Sequence, residues 1–204
     1  MDLSYQRPIR SRYVDPYELI WLSAANRLGL HIRRDPNVFA ATDGAGLLSL
    51  APRKDLDPDD TLSQQVLHEL CHWMVNGEET FSERDWGYEL DVEMQDPREK
   101  ACLRLQAWLT EPHGLREMMA NTGLYRPYFD LLEDPAVAMD DSDAERDVLR
   151  LFEAGRALVS REPYWSVIQE SLAATAALKQ AVAPFLDTFR SEFEGDKLPC
   201  LWGR

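Results

Sequence analysis

Apolar positions recur at three- and four-residue steps through most of this chain, broken by one interval of strand-like runs near its start. Asp15-Pro16 opens the first helical stretch, in which Leu19, Ile20, Leu22, Ala25 and Leu28 are apolar, and Gly29 ends it. Strand-like runs follow at 31–33, 38–42 and 46–51. Asp43-Gly44-Ala45-Gly46, between the last two, has the composition of a hairpin turn, because glycine accepts the positive φ that such turns need. The polar interval 52–60 carries two prolines and reads as a loop.

Thr61 and Gln64 have the spacing of a capping box and mark the start of a second helix. Leu62, Val66, Leu67, Leu70 and Met74 form its apolar stripe, and Gly77 is its terminator. The acidic interval 78–95 is aperiodic, a loop of functional length. Asp96-Pro97-Arg98-Glu99 is another start signal, for a helix through Leu103, Leu105 and Leu109 to about 111–112. Everything beyond reads as helical: pieces at 114–121 and 127–132, then 143–159, then a long one from 163 to about 193 that Pro184 should kink or divide. The acidic segment 133–143 is expected to be weakly held. The expected fold is α+β: residues 1–112 supply a small antiparallel sheet and three helices, and residues 113–204 an all-helical half packed with them as one domain.

Charge narrows the partners. Lys and Arg number 22 against 36 Asp and Glu, a formal net charge of −14, the wrong sign for a general nucleic-acid binder or for a protein held to anionic lipid. The 45% hydrophobic content is enough for a real core. Residues 1–8 lack the apolar run of a signal peptide, and no stretch approaches the roughly 18 apolar residues of a membrane span. The three cysteines, Cys71, Cys102 and Cys200, are odd in number and widely spaced, which suits a reducing compartment. The expectation is a cytoplasmic protein with neither nucleic acid nor membrane as partner.

The chemistry is concentrated in His68-Glu69-Leu70-Cys71-His72, in the middle of the second helix. Residues four apart stack on one helical face, so both imidazoles can reach one divalent ion, and the glutamate between them can serve as general base on a bound water. A chance match on a polar helix face is the bland alternative, and the amphipathic setting weighs against it. Two histidines need a third protein ligand and an open position. Glu99, in the first turn of the next helix, is the choice; its competing role is a capping glutamate serving only Asp96. Asp85, Asp91, Glu93, Cys102 and His113 are rivals for that place. Cys71 and Cys102 read more simply as small core residues, and His31 and His113 as surface or capping residues.

A helix with HExxH, a loop, and a helix opening with glutamate resembles the gluzincins, zinc peptidases whose third ligand is a downstream glutamate. A narrower resemblance lies in His68-Glu69-Leu70-Cys71-His72-Trp73, then Gly77, then Asp85-Trp86-Gly87-Tyr88. This pattern, over residues 61–112, is similar to the elongation factor P hydroxylases, small proteins of peptidase-like fold that hydroxylate the modified lysine of that factor. The resemblance implies zincin-like active-site helices and a ligand triad of His68, His72 and Glu99, a set that suits iron as well as zinc. It implies a protein or peptide substrate, elongation factor P in the narrower case. Tyr88 would offer its hydroxyl near the metal, Asp85 would orient a ligand histidine from behind, and Gly87 would permit the tight turn that both need; the alternative is that Trp86 and Tyr88 are only apolar anchors pinning the loop onto the core.

Three functions follow as expectations: an iron-dependent protein hydroxylase, a zinc metallopeptidase with Glu69 as base, and a silent domain whose metal is structural. An intact Glu69 counts against the third, since a purely structural site has no use for it.

Overall fold

The computed structural model describes residues 14–56, 60–88, 96–120 and 122–192. Asp91 and Glu93, two of the rival ligands, lie outside them. Six α-helices and three short strands are found among these residues, so the α+β expectation holds.

Helix α1, Pro16–Arg27, starts where Asp15 accepts hydrogen bonds from the amides of Tyr17 and Glu18. Strands β1 (His31–Arg34), β2 (Ala40–Thr42) and β3 (Leu47–Leu50) follow, and the turn between β2 and β3 holds Gly44 and Gly46 at φ of 69° and 100°. A Cβ on Gly44 would meet backbone atoms of residues 82 and 83 at 2.6–2.7 Å, so this turn also receives the loop that follows the second helix.

The sheet corrects one expectation. Its order is β1-β3-β2, with β2 antiparallel to β3 and β1 parallel to it, so the sheet is mixed and not antiparallel. The reason lies in the connections. The 43–46 turn folds β3 back onto β2, whereas 35–39, with Pro36, carries the chain across to the far edge before β2 begins. β1 is left to pair with the free side of β3, where the His31 amide donates to the Gly46 carbonyl at 2.7 Å.

Helix α2, Leu62–Asn76, begins at the full capping box. The Gln64 amide donates to the Thr61 hydroxyl at 3.1 Å, and the Gln64 side chain accepts from the Thr61 amide at 3.3 Å. α2 lies in the middle of the molecule against α1, α3 (Pro97–Thr110) and α5 (Asp143–Val159). Its apolar side, with Leu67, Leu70 and Met74, joins Trp21, Leu105 and Phe152 in one continuous core that also takes in the sheet and α6 (Tyr164–Glu192). Gly155 lets α5 approach closely, since a Cβ there would stand 2.9 Å from Val75 Cγ2 and 3.2 Å from its Cα.

The C-terminal half departs from expectation in detail. Residues 115–120 form turns instead of a helix: Gly114 leaves the α region at φ 63°, and the bonds that follow, from the Met119 amide to Leu115 and from the Ala120 amide to Glu117, close single turns. α4 is Arg126–Leu131, and α6 continues through Pro184 undivided. The acidic segment is held from inside: Arg104, on α3 and 0% exposed, donates to the carbonyls of Pro135 (2.7 Å) and Val137 (2.9 Å) and pairs with buried Glu145. Among the described residues no helix is long and apolar enough to cross a membrane.

Candidate metal centre

The side of α2 opposite the core is polar at every fourth residue, Gln64, His68, His72 and Asn76, with Gln65 and Glu69 beside them. These six line a cavity of about 630 Å³, which β2, the loop after α2, the start of α3 and residues 122–125 close in. The capping box fixes where α2 begins and so the direction of this face. The Asp96 carboxylate, accepting from the Arg98 amide at 2.7 Å, likewise fixes the start of α3 and turns Glu99 toward α2.

His68 Nε2 and His72 Nε2 are 3.2 Å apart. The Glu99 carboxylate straddles them, with Oε1 3.5 Å from His68 Nε2 and Oε2 2.9 Å from His72 Nε2. A tetrahedral ion with bonds of about 2.0–2.1 Å sets its ligands roughly 3.3 Å apart, so the two imidazole nitrogens and this carboxylate are spaced to share a single ion.

A second set of donors overlaps this one. Cys102 Sγ also lies within 4.8 Å of both histidines' donor nitrogens, so His68, His72 and Cys102 form a group that can hold a metal ion. The two sets differ in their surroundings. Cys102 is 0% exposed, its thiol is 3.4 Å from the His68 carbonyl, and burial and the neighbouring Cys71 push its pKa well up. Burial works to raise Glu99, but the positive charge of the His72 and His68 rings outweighs it and holds this carboxyl at about 2, ionised. Burial works to lower His72, and Glu99 and Glu69 more than reverse it.

Glu69 lies partly exposed in the cavity wall. Burial raises its pKa, the two histidines pull it down, Glu99 and Asp85 push it up again, and the net shift is upward. An upward shift moves a carboxylate toward the range in which it works as a base near neutrality.

The segment Asp85-Trp86-Gly87-Tyr88 reaches this site by an unusual backbone route. Asp85 and Trp86 have φ of 49° and 48°, and Gly87 follows at 68°, so three successive residues are left-handed. Two of them carry side chains that resist this conformation, at about 1–2 kcal/mol each. The turn is clamped on all sides. Trp86 stacks on Trp73 at 6.1 Å, Asn76 donates to the Trp86 carbonyl at 3.2 Å, and Arg98 donates to the Gly87 carbonyl at 2.9 Å. It delivers the Tyr88 ring to 5.5 Å from His72, beneath the Arg98 guanidinium. Burial, with Glu99 and Asp96 next in weight, raises the Tyr88 phenol and keeps it protonated.

Asp85 is engaged away from the histidines. Its Oδ1 accepts from the Thr42 amide on β2 at 2.8 Å and its Oδ2 faces Arg84 at 3.3 Å. The group found at His68 Nδ1 is Gln106, whose Oε1 is 3.0 Å away. Sequence reasoning missed Gln106; the available signal was a polar residue on the Glu99 face of α3, two turns on. His113 bonds to Gln169 at 3.0 Å, and His31 is exposed.

Alanine at His72 removes one of three converging donors, and metal affinity is expected to fall more than about 100-fold, beyond the 10- to 100-fold cost of losing an outer-shell partner. Equilibrium dialysis against zinc measures it, and full occupancy in the variant would sink the assignment. Comparison with protein-family models, with curated proteins and with solved structures returned no match.

Proposed function

We propose that this chain is a metal-dependent enzyme in which His68, His72 and Glu99 hold a divalent ion and Glu69 acts as base. One observation carries the reading: two imidazole nitrogens and a carboxylate from two helices, with nitrogen–nitrogen and nearest nitrogen–oxygen distances of 2.9–3.5 Å, meet on the wall of a cavity that also holds Glu69. A structural site would be closed by a fourth protein ligand and would not need the glutamate. When bound, the ion supplies Lewis acidity and, if it is iron, oxygen chemistry. The residues of the chain do the rest. The cavity admits a side chain or a short peptide, Glu69 takes a proton, and Tyr88 offers a hydroxyl beside His72.

The first reading is protein hydroxylation with iron, of the elongation factor P hydroxylase type. Its support is that the residues carrying that resemblance form one unit at the site: Trp73 on Trp86, Gly77 at the end of α2, and Tyr88 on His72. The second is peptide hydrolysis with zinc, favoured by the upward-shifted, cavity-facing Glu69. Metal analysis after anaerobic purification, paired with oxygen uptake and peptide cleavage, separates them. Iron with substrate-dependent oxygen uptake supports the first, and zinc with cleavage the second. A firmly bound metal with neither activity, across protein and peptide substrates, would sink the enzyme reading.

Tyr88→Phe tests the loop's part in it. The ring and its packing stay, so melting and metal content are expected to be unchanged. Turnover should drop about tenfold or more, the effect of one hydrogen bond of about 1.4 kcal/mol made in the transition state. An unchanged rate would reduce Tyr88 to an anchor of the loop.

A further inference from the structure

Gln106 lies two turns beyond Glu99 on α3 and is 0% exposed. Its amide is fixed at both ends. Nε2 donates to the Met119 carbonyl, which can only accept, so the amide cannot be reversed and Oε1 is the atom turned toward His68. An amide oxygen can only accept as well. The proton of the neutral His68 ring is therefore on Nδ1, and the lone pair is on Nε2. Nε2 is the nitrogen 3.2 Å from His72 Nε2 and 3.5 Å from Glu99 Oε1. Cys102 Sγ, at 3.5 Å, lies against the other nitrogen, the one that carries the proton.

We propose that Gln106 is a positioning residue that holds His68 in the tautomer whose Nε2 faces the ion, and so makes His68, His72 and Glu99 the ligand set in place of His68, His72 and Cys102. The inference rests on the metal-site reading above and adds what decides between its two overlapping donor sets. His72 has no counterpart to Gln106, since its Nδ1 is buried without a hydrogen-bond partner among the described residues. Helix α3 thus supplies both a ligand and the group that aims another ligand, from one rigid element.

Two substitutions isolate the contact. Gln106→Met and Gln106→Glu both give up the amide's donation to Met119, but only the glutamate keeps an acceptor for His68 Nδ1–H. In chelator competition with zinc, Gln106→Glu should bind nearly as tightly as the wild type and Gln106→Met about 10- to 100-fold more weakly. Equal affinities in the two variants would overturn the proposal. Should the methionine variant fail to fold, the wild-type protein still answers. Imidazole nitrogen NMR of the zinc form should show His68 protonated at Nδ1, and protonation at Nε2 would overturn it. The cobalt form should lack a thiolate-to-metal charge-transfer band, whose presence would put Cys102 in the ligand set and overturn it too. Unchanged zinc uptake in Glu99→Ala would overturn it as well, whereas failure of the metal reading itself looks different: the wild type then takes up no stoichiometric zinc.

Discussion

Replacing Glu69 by glutamine is expected to leave the metal in place and to lower turnover by about two to four orders of magnitude. The substitution keeps the shape of the side chain and the helix that carries it, and it touches none of the three donor atoms. What it removes is the ability to take a proton. Glu69 is set up for that task by its surroundings: burial, Glu99 and Asp85 raise its pKa against the pull of His72 and His68. Its place between the ligands brings it to the cavity wall, within one helical turn of both imidazoles. The measurement pairs metal content with single-turnover rates on the substrate class that the metal and oxygen experiment identifies. Retained turnover at full metal content would mean that neither the hydrolytic nor the oxidative use of this residue is right. Loss of metal together with turnover would instead make Glu69 part of the binding site.

What could be read in advance followed from how local each signal is. The caps of α2 and α3 were legible because Thr61, Gln64 and Asp96 bond to amides two or three residues away, a contact written in the sequence itself. The start of α5 is fixed by a contact just as local, Ser142 accepting from the Glu145 amide at 3.1 Å. The four-residue step from His68 to His72 predicted a shared face, and Glu99 is found opposite it. The parallel pairing of β1 was not legible, because it depends on where 35–39 carries the chain and not on any residue within β1. Gly87 announced a left-handed residue, but nothing in Asp85 or Trp86 says that they share its conformation; the clamps that hold them come from Thr42, Trp73, Asn76 and Arg98, well apart in sequence. Gln106 was hidden similarly: its meaning depends on Met119 beyond the end of α3 and on His68 across the helix pair.

The fold's own weak point lies on the opposite side of α3, where replacing Arg104 by methionine is expected to cost about 3–5 kcal/mol. Arg104 and Glu145 are both buried, and each is committed to more than its partner. The guanidinium also donates to the Tyr128 hydroxyl at 2.7 Å and to the carbonyls of Pro135 and Val137, and Glu145 also accepts from the Met139 amide at 3.1 Å. Methionine fills much of the volume but strands a buried carboxylate and two carbonyls, so the loss is the cost of an uncompensated charge and not merely that of one ion pair. For a chain of this length such a loss lowers the melting temperature by roughly 10 °C or more. Urea unfolding of the metal-free protein is the cleaner measurement, because bound metal adds stability of its own. Adding Glu145→Leu to Arg104→Met should restore a good part of the loss by removing the stranded charge, and the double-mutant cycle should then give a coupling of about 1–3 kcal/mol. Additive losses, with no restoration, would mean that Arg104 acts through the 135–137 carbonyls and not through Glu145. A loss below about 1 kcal/mol for Arg104→Met would place the residue among ordinary surface arginines, contrary to its burial.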